Sequence, residues 1–311
     1  MGSIAYITDK NMMEYHRLHG NSVINFWKPS IKSITDFHKG DLLFFLTKGT
    51  ERGRKREKGI LGYGHLRKQQ NMSFTQMWNT YKTKSGYPDK ESLRQAICKI
   101  TKQEEVPDQL SCMELEQVVY FRYPIYLSEI GMNISNSIES FFYIDKEDIQ
   151  NTGRLLRLAD SVGTDLWVNS TGYESIKDMR EDAMIQLLEN LSARIKTNFY
   201  TEYEQAKIRH YIQCLHDEEI HPIRNSKTEY WVRNKDKILL LLPCLVNFND
   251  FEGKLQYSIG HHQLFKAYIN DSEYSNHIAV KLLFNHHIKQ EWKQILHRLD
   301  IAYEERLVNE D

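Results

Sequence analysis

Two apolar runs separated by a basic polar stretch constrain this chain more than any other feature. Residues 41–46 (Asp41-Leu42-Leu43-Phe44-Phe45-Leu46) follow Lys39-Gly40, so a turn glycine leads into a buried strand. Residues 59–66 read as a second strand that carries Gly59, Gly62 and Gly64. Glycine weakens a strand interior unless another backbone must come close, so these positions predict a bulge or a close approach. Between the runs lies 47–58, polar and strongly basic, the exposed loop of a hairpin. Phe74, Met77, Trp78 and Tyr81 recur at helical spacing, and Asp89 suits the N-cap of a second helix that runs through Ile100. Val118-Val119-Tyr120-Phe121 reads as a β-branched and aromatic strand ending near Pro124. Short strands with inserted helices predict an α+β, barrel-like first module.

The second half alternates helices and strands. Met184, Leu187, Leu188 and Leu191 mark an amphipathic helix over 181–196, and 204–216 is a second helix. Strands follow at 230–232 and 238–242, the latter almost continuously apolar and so central. Then come a helix at 263–269, a strand at 278–284, a helix at 289–299 and a short strand at 301–303. That order predicts an α/β layer. The expected division is 1–148 as a first domain, 149–180 as a linker or bridging segment, and 181–311 as a second domain.

The chain has 41 Lys and Arg against 42 Asp and Glu, a net charge of −1. That sum hides a distribution. Residues 28–84 hold 13 basic and 4 acidic side chains, a net of +9, while the whole second half is mildly acidic. The near-neutral total excludes a uniformly basic binder and leaves room for a local anion-binding field. Aromatics at 12% exclude a wholly disordered chain. No apolar run approaches the roughly 20 residues of a membrane helix, so no membrane partner is expected. Met1-Gly2-Ser3 lacks the form of a signal peptide, and Cys98, Cys112, Cys214 and Cys244 contain no Cys-x-x-Cys pair. The expected compartment is the cytoplasm, with the cysteines reduced. No glycine-rich nucleotide-phosphate loop occurs.

Asn25-Phe26-Trp27-Lys28-Pro29, then Gly40-Asp41, then the glycine strand 59–64, then Trp78, then Lys90-Glu91-Ser92-Leu93-Arg94 and Cys112-Met113-Glu114-Leu115 form an ordered set. It resembles the N-terminal domain of predicted bacterial HNH-type restriction endonucleases, over about residues 20–145. That domain is similar to the PUA-like or EVE-like small β-barrels that read nucleic acid, often a modified or flipped base. The resemblance implies a PUA-like barrel with inserted helices, followed by the α/β domain. It implies that Trp27 and Tyr63 stack on a base, with Asn25, Ser30 or His65 reading its edge and Lys28 holding phosphate. Arg52, Arg54, Lys55, Arg56 and Lys58 would lie against the backbone phosphates. Trp27 suits a core as well as a base, Trp78 reads as a core residue, and a charge run suits any wet surface.

The second half is similar to two nuclease templates and departs from both. Residues 248–265, with His261 and His262, resemble part of an HNH motif, but the strand that should carry its catalytic His falls on Pro243-Cys244-Leu245-Val246, where none occurs. In a PD-(D/E)xK template Glu229 would supply the first acid, but the Glu-x-Lys is missing from 241–245. Glu229, His261 and His262 are the candidate catalytic residues, with Mg or Mn expected only if the chain is nuclease-active. The leading expectation is a DNA-recognition protein of restriction or phage-defence type, acting as a homodimer or with a partner restriction subunit. The alternatives are an active metal-dependent endonuclease and a protein-interaction module without DNA contact.

Overall fold

The computed structural model describes residues 2–54, 56–135, 138–165, 179–195, 199–217, 219–224 and 226–308. The chain divides into two compact units, Met1–Ala183 and Met184–Asp311. Among the described residues no helix is long and apolar enough to cross a membrane.

The first unit is built on a six-stranded mixed sheet in the order β2-β5-β4-β3-β1-β6. Its strands are β1 (Ser3–Thr8), β2 (Ile24–Lys28), β3 (Leu42–Arg52), β4 (Glu57–Met72), β5 (Leu110–Tyr126) and β6 (Phe141–Tyr143). β3, β4 and β5 form an antiparallel meander, and β1 lies parallel to β3. The expected barrel is not closed. The sheet ends at β2 and β6, which have five and three residues and do not pair with each other. The expected hairpin loop at 47–58 is also shorter, because β3 continues to Arg52 and β4 begins at Glu57.

Helices α1 (Lys10–Leu18), α2 (Phe74–Tyr81) and α3 (Lys90–Thr101) cover the sheet. Ser73 and Gln76 close a capping box on α2, and the Asp89 carboxylate accepts from Ser92 N at the start of α3. These helices bury Met12, Met13, Met77, Leu93 and Ile97 against Ile4, Phe45, Leu66 and Met113. At roughly 2 kcal/mol per large side chain, that apolar contact is the main force holding the unit together. Part of the segment expected as a linker is helix α4 (Asn151–Val162) of this unit. Asp145 accepts from the backbone and hydroxyl of Thr152, and Leu155, Leu156 and Ala159 are buried.

Helix α5 (Met179–Arg194) begins in the first unit and ends in the second. The second unit continues with α6 (Glu202–Cys214) and a five-stranded sheet in the order β11-β10-β9-β8-β7. Its strands are β7 (Ile220–Pro222), β8 (Tyr230–Asn234), β9 (Lys237–Pro243), β10 (Ile278–Phe284) and β11 (Tyr303–Glu305). β8 and β9 are antiparallel, whereas β9, β10 and β11 are parallel, joined through α7 (Phe251–Asn270) and α8 (Gln290–Arg298). The continuously apolar run lies on β9, the middle strand, where Leu240 and Leu241 are both fully buried. Neighbouring strand residues point to opposite faces, so both faces of β9 are covered. All four cysteines are free, and burial pushes the Cys112 thiol up to about 11 and the Cys244 thiol up to about 12.

His16 carries a testable consequence of this packing. It is fully buried on α1, and Asn21 Nδ2 lies 3.1 Å from its Nδ1 while Nε2 has no partner. Burial, with a smaller repulsion from His19, lowers its pKa to about 3. The unfolded chain therefore binds the proton first, and stability falls as pH drops from about 6.5 toward 3. Between pH 7 and pH 5 the native chain should lose about 2 kcal/mol more than a His16→Gln variant. Denaturant titrations at the two pH values measure this; equal losses would contradict it.

Candidate functional site

The site begins with an irregularity between β4 and β5. Gly62 pairs with Tyr120, and Ile60 pairs with Ile125. Two steps along β4 thus correspond to five along β5, and residues 121–124 bulge out opposite Leu61. Such bulges re-aim side chains that a regular ladder would alternate between faces. The glycines permit this crossing. A Cβ at Gly62 would stand 2.1 Å from the Val119 carbonyl oxygen, and one at Gly59 would stand 2.6 Å from Pro124 Cβ. Pro124 has no N–H to leave unpaired in the broken ladder. The segment after α4 supports the bulge. Arg122 N donates to Gly163 O, Asp165 N donates to Tyr120 O, and Phe121 and Thr164 form an antiparallel bridge.

A cleft of about 420 Å³ opens between this bulge and α1. Lys10, Arg17 and Arg122 line it together with Thr50, Leu61 and Asp165. Arg17 donates to Glu14 at 2.7 Å and to Asp165 at 2.8 Å, and the hydrogen bond to Glu14 leads in raising its pKa further. Lys10 and Arg122 are exposed. β3 leaves the cleft at Thr50 and continues into the basic hairpin. There the Arg52 guanidinium lies 3.5 Å from the centre of the Tyr126 ring and 2.7 Å from Glu129. Arg54 and Arg56 are exposed at the turn, and Lys58 is half-buried and already engaged. Lys55 lies outside the described residues.

The residues expected to read a base are elsewhere. Trp27 is 5% exposed, and its indole N–H donates to Ser85 O at 3.1 Å. Asn25 is fully buried and donates to Ser85 Oγ. Lys28 is buried, donates to Ser30 O, and has its pKa pushed down by burial. All five β2 positions are buried, and Ser85 in the turn 82–85 accepts from both Trp27 and Asn25. Tyr63 is fully buried, stacks on Phe44 and donates to Asp182 Oδ2 at 2.7 Å. His65 reaches the same oxygen at 3.1 Å. Asn25 Oδ1 is buried without a hydrogen-bond partner. The rings of Trp27 and Tyr63 are packed and hydrogen-bonded inside the unit, so a stacked base on either is corrected to core packing. Lys10, Arg17 and Arg122 were not legible as site residues. Asp9 as N-cap, with Met12, Met13 and His16 at helical spacing, is the signal that would have revealed α1.

In the second unit, two of the three candidate catalytic residues meet. His261 Nε2 donates to Glu229 Oε1 at 2.7 Å, both side chains being buried. Tyr257 stacks on the imidazole and Phe265 meets it edge-on. Glu229 Oε2 and His261 Nδ1 have no partner and are shielded from solvent. His262 faces away from this pair and donates from Nε2 to Val280 O, and burial pushes its pKa down. Adjacent helical residues point about 100° apart, which separates the two histidines. Among the described residues no three His, Cys, Asp or Glu side chains are grouped to hold a metal ion.

No protein-family model matches the chain, and no curated protein matches it. Among solved structures it is similar to ASCH from Zymomonas mobilis and to a tyrosine-to-phenylalanine and a serine-to-alanine variant of that protein. Each is 15% identical over 53% of this chain, with a TM-score of 0.36. The match covers 96% of the parent ASCH chain and 100% and 97% of the two variants. A likeness of that size carries no argument about ligand or activity.

The crossing itself is testable. A Gly62→Ala variant must move the Val119 backbone, and it should lose about 3 kcal/mol of stability, the upper range for overpacking. Urea unfolding of the two chains checks this; an unchanged midpoint would show that the strands do not need the missing side chain.

Proposed function

We propose that the first unit binds nucleic acid along the bulge, the cleft and the basic hairpin. The observation that carries this reading is the convergence of exposed Lys10 and Arg122 on one cleft, from whose edge at Thr50 β3 runs on into the hairpin that carries exposed Arg54 and Arg56. Cations that already have carboxylate partners, such as Arg17 and Arg52, shape the surface. The exposed ones are available to phosphate. Neutralising phosphates releases condensed counterions, which gives affinity without reading sequence. Of these exposed cations, Arg54 and Arg56 belong to residues 28–84, the stretch with a net charge of +9.

The finer reading is DNA recognition in a restriction or phage-defence system, with a specific sequence or a modified base as target. It rests on the ordered motifs of residues 20–145 and their resemblance to restriction-endonuclease recognition domains. A homodimer or a partner subunit would bring two such surfaces to two strands. The proposal assigns binding and no cleavage step, because the free atoms of the Glu229 and His261 pair are closed to solvent.

Fluorescence anisotropy of labelled DNA across a salt series tests the binding. The native chain should bind with affinity that falls steeply with salt. An Arg54→Glu, Arg56→Glu, Arg122→Glu variant should bind more weakly and lower the log–log salt slope by about 3, close to one unit per lost phosphate contact. Equal affinity and slope in the two proteins would remove this surface from nucleic-acid binding.

A further inference from the structure

We infer that Tyr123 is a stacking platform for an unpaired base, so that the preferred ligand of the cleft is single-stranded nucleic acid. This deepens the nucleic-acid reading above and rests on it.

Tyr123 is 60% exposed, whereas the neighbouring aromatics Tyr120 and Phe121 on β5 are each 3% exposed. In a regular strand, consecutive side chains leave opposite faces. Here the 121–124 bulge cancels that alternation, and the Arg122 guanidinium lies 5.6 Å from the centre of the Tyr123 ring. Arg122 lines the cleft, and Tyr123 stands at the next position, just outside that lining. Among the described residues, Tyr123 makes no hydrogen bond that would hold its ring to the unit.

The guanidinium stands over one side of the Tyr123 ring, and that cation with the exposed remainder of the ring gives the two elements needed for a nucleotide. The ring offers a π-face to the base, and the guanidinium offers charge to the phosphate. Base-on-aromatic stacking contributes about 1–3 kcal/mol per base in such sites. A duplex keeps its bases stacked on each other, so it gains only the phosphate part. The bulge therefore converts a strand position into a selector between unpaired and paired strands. Isolated surface aromatics are common. Tyr123 differs in standing beside a cleft-lining arginine on a bulge that two glycines make possible.

The test compares a short oligothymidylate, an oligouridylate of the same length and a duplex of the same length by anisotropy. The native chain should hold at least one of the single strands more tightly than the duplex. Tyr123→Ala should weaken that single-strand binding about fivefold or more, with duplex binding and the salt slope unchanged. Tyr123→Phe keeps the ring and should restore native affinity. If Tyr123→Ala leaves single-strand affinity unchanged while the triple charge reversal still lowers it, the stacking role is wrong and the nucleic-acid reading stands. If the native chain binds none of the three probes, both fall.

Discussion

Everything at the candidate site depends on how closely β4 and β5 cross at Gly59 and Gly62. A Cβ at Gly62 would stand 2.1 Å from a carbonyl oxygen, a distance no side chain survives. Removing those atoms costs conformational entropy, roughly 0.5–1 kcal/mol per glycine in a strand. The adjoining Ile60 and Tyr63 are fully buried, and their burial offsets that loss. The crossing leaves β5 with more residues than β4 can pair. The surplus becomes the bulge at 121–124, which turns Arg122 and Tyr123 outward and brings Phe121 onto Thr164.

Charge follows the same division between what is committed and what is open. Arg17 is held by Glu14 and Asp165, and Arg52 by Glu129 and the Tyr126 ring. In the second unit Glu229 and His261 answer each other in the core. The Glu229 and His261 pair is buried, so losing one partner is expensive because it strands the other, whereas the partly exposed arginine pairs add little. They read as architecture. Lys10, Arg54, Arg56 and Arg122 stay in water, where their charge acts on whatever approaches.

The sequence was most legible where structure is local. Helix α2 occupies residues 74–81 as its spacing implies, Asp89 caps α3, and the apolar run 238–242 lies on the middle strand. The glycines of β4 announced a close approach, and that approach is by β5. Partnership across the chain was not legible. Nothing near Trp27 or Asn25 signals that Ser85, nearly sixty positions away, accepts a hydrogen bond from both. The full length of β5 was hidden because its 17 residues contain polar positions and a proline that read as boundaries. Helix α1, which forms one wall of the cleft, is short and polar on its outer face, so its few buried residues gave a weak period.

The most direct measurement is amide hydrogen exchange of the full chain with and without a bound oligonucleotide. Slowed exchange should appear together in three separated stretches, at 10–17 on α1, 49–56 on the hairpin and 121–124 on the bulge. They share one surface only if the bulge and α1 frame the binding cleft. Binding that leaves these three stretches unchanged, or that protects residues of the second unit alone, would contradict the central claim.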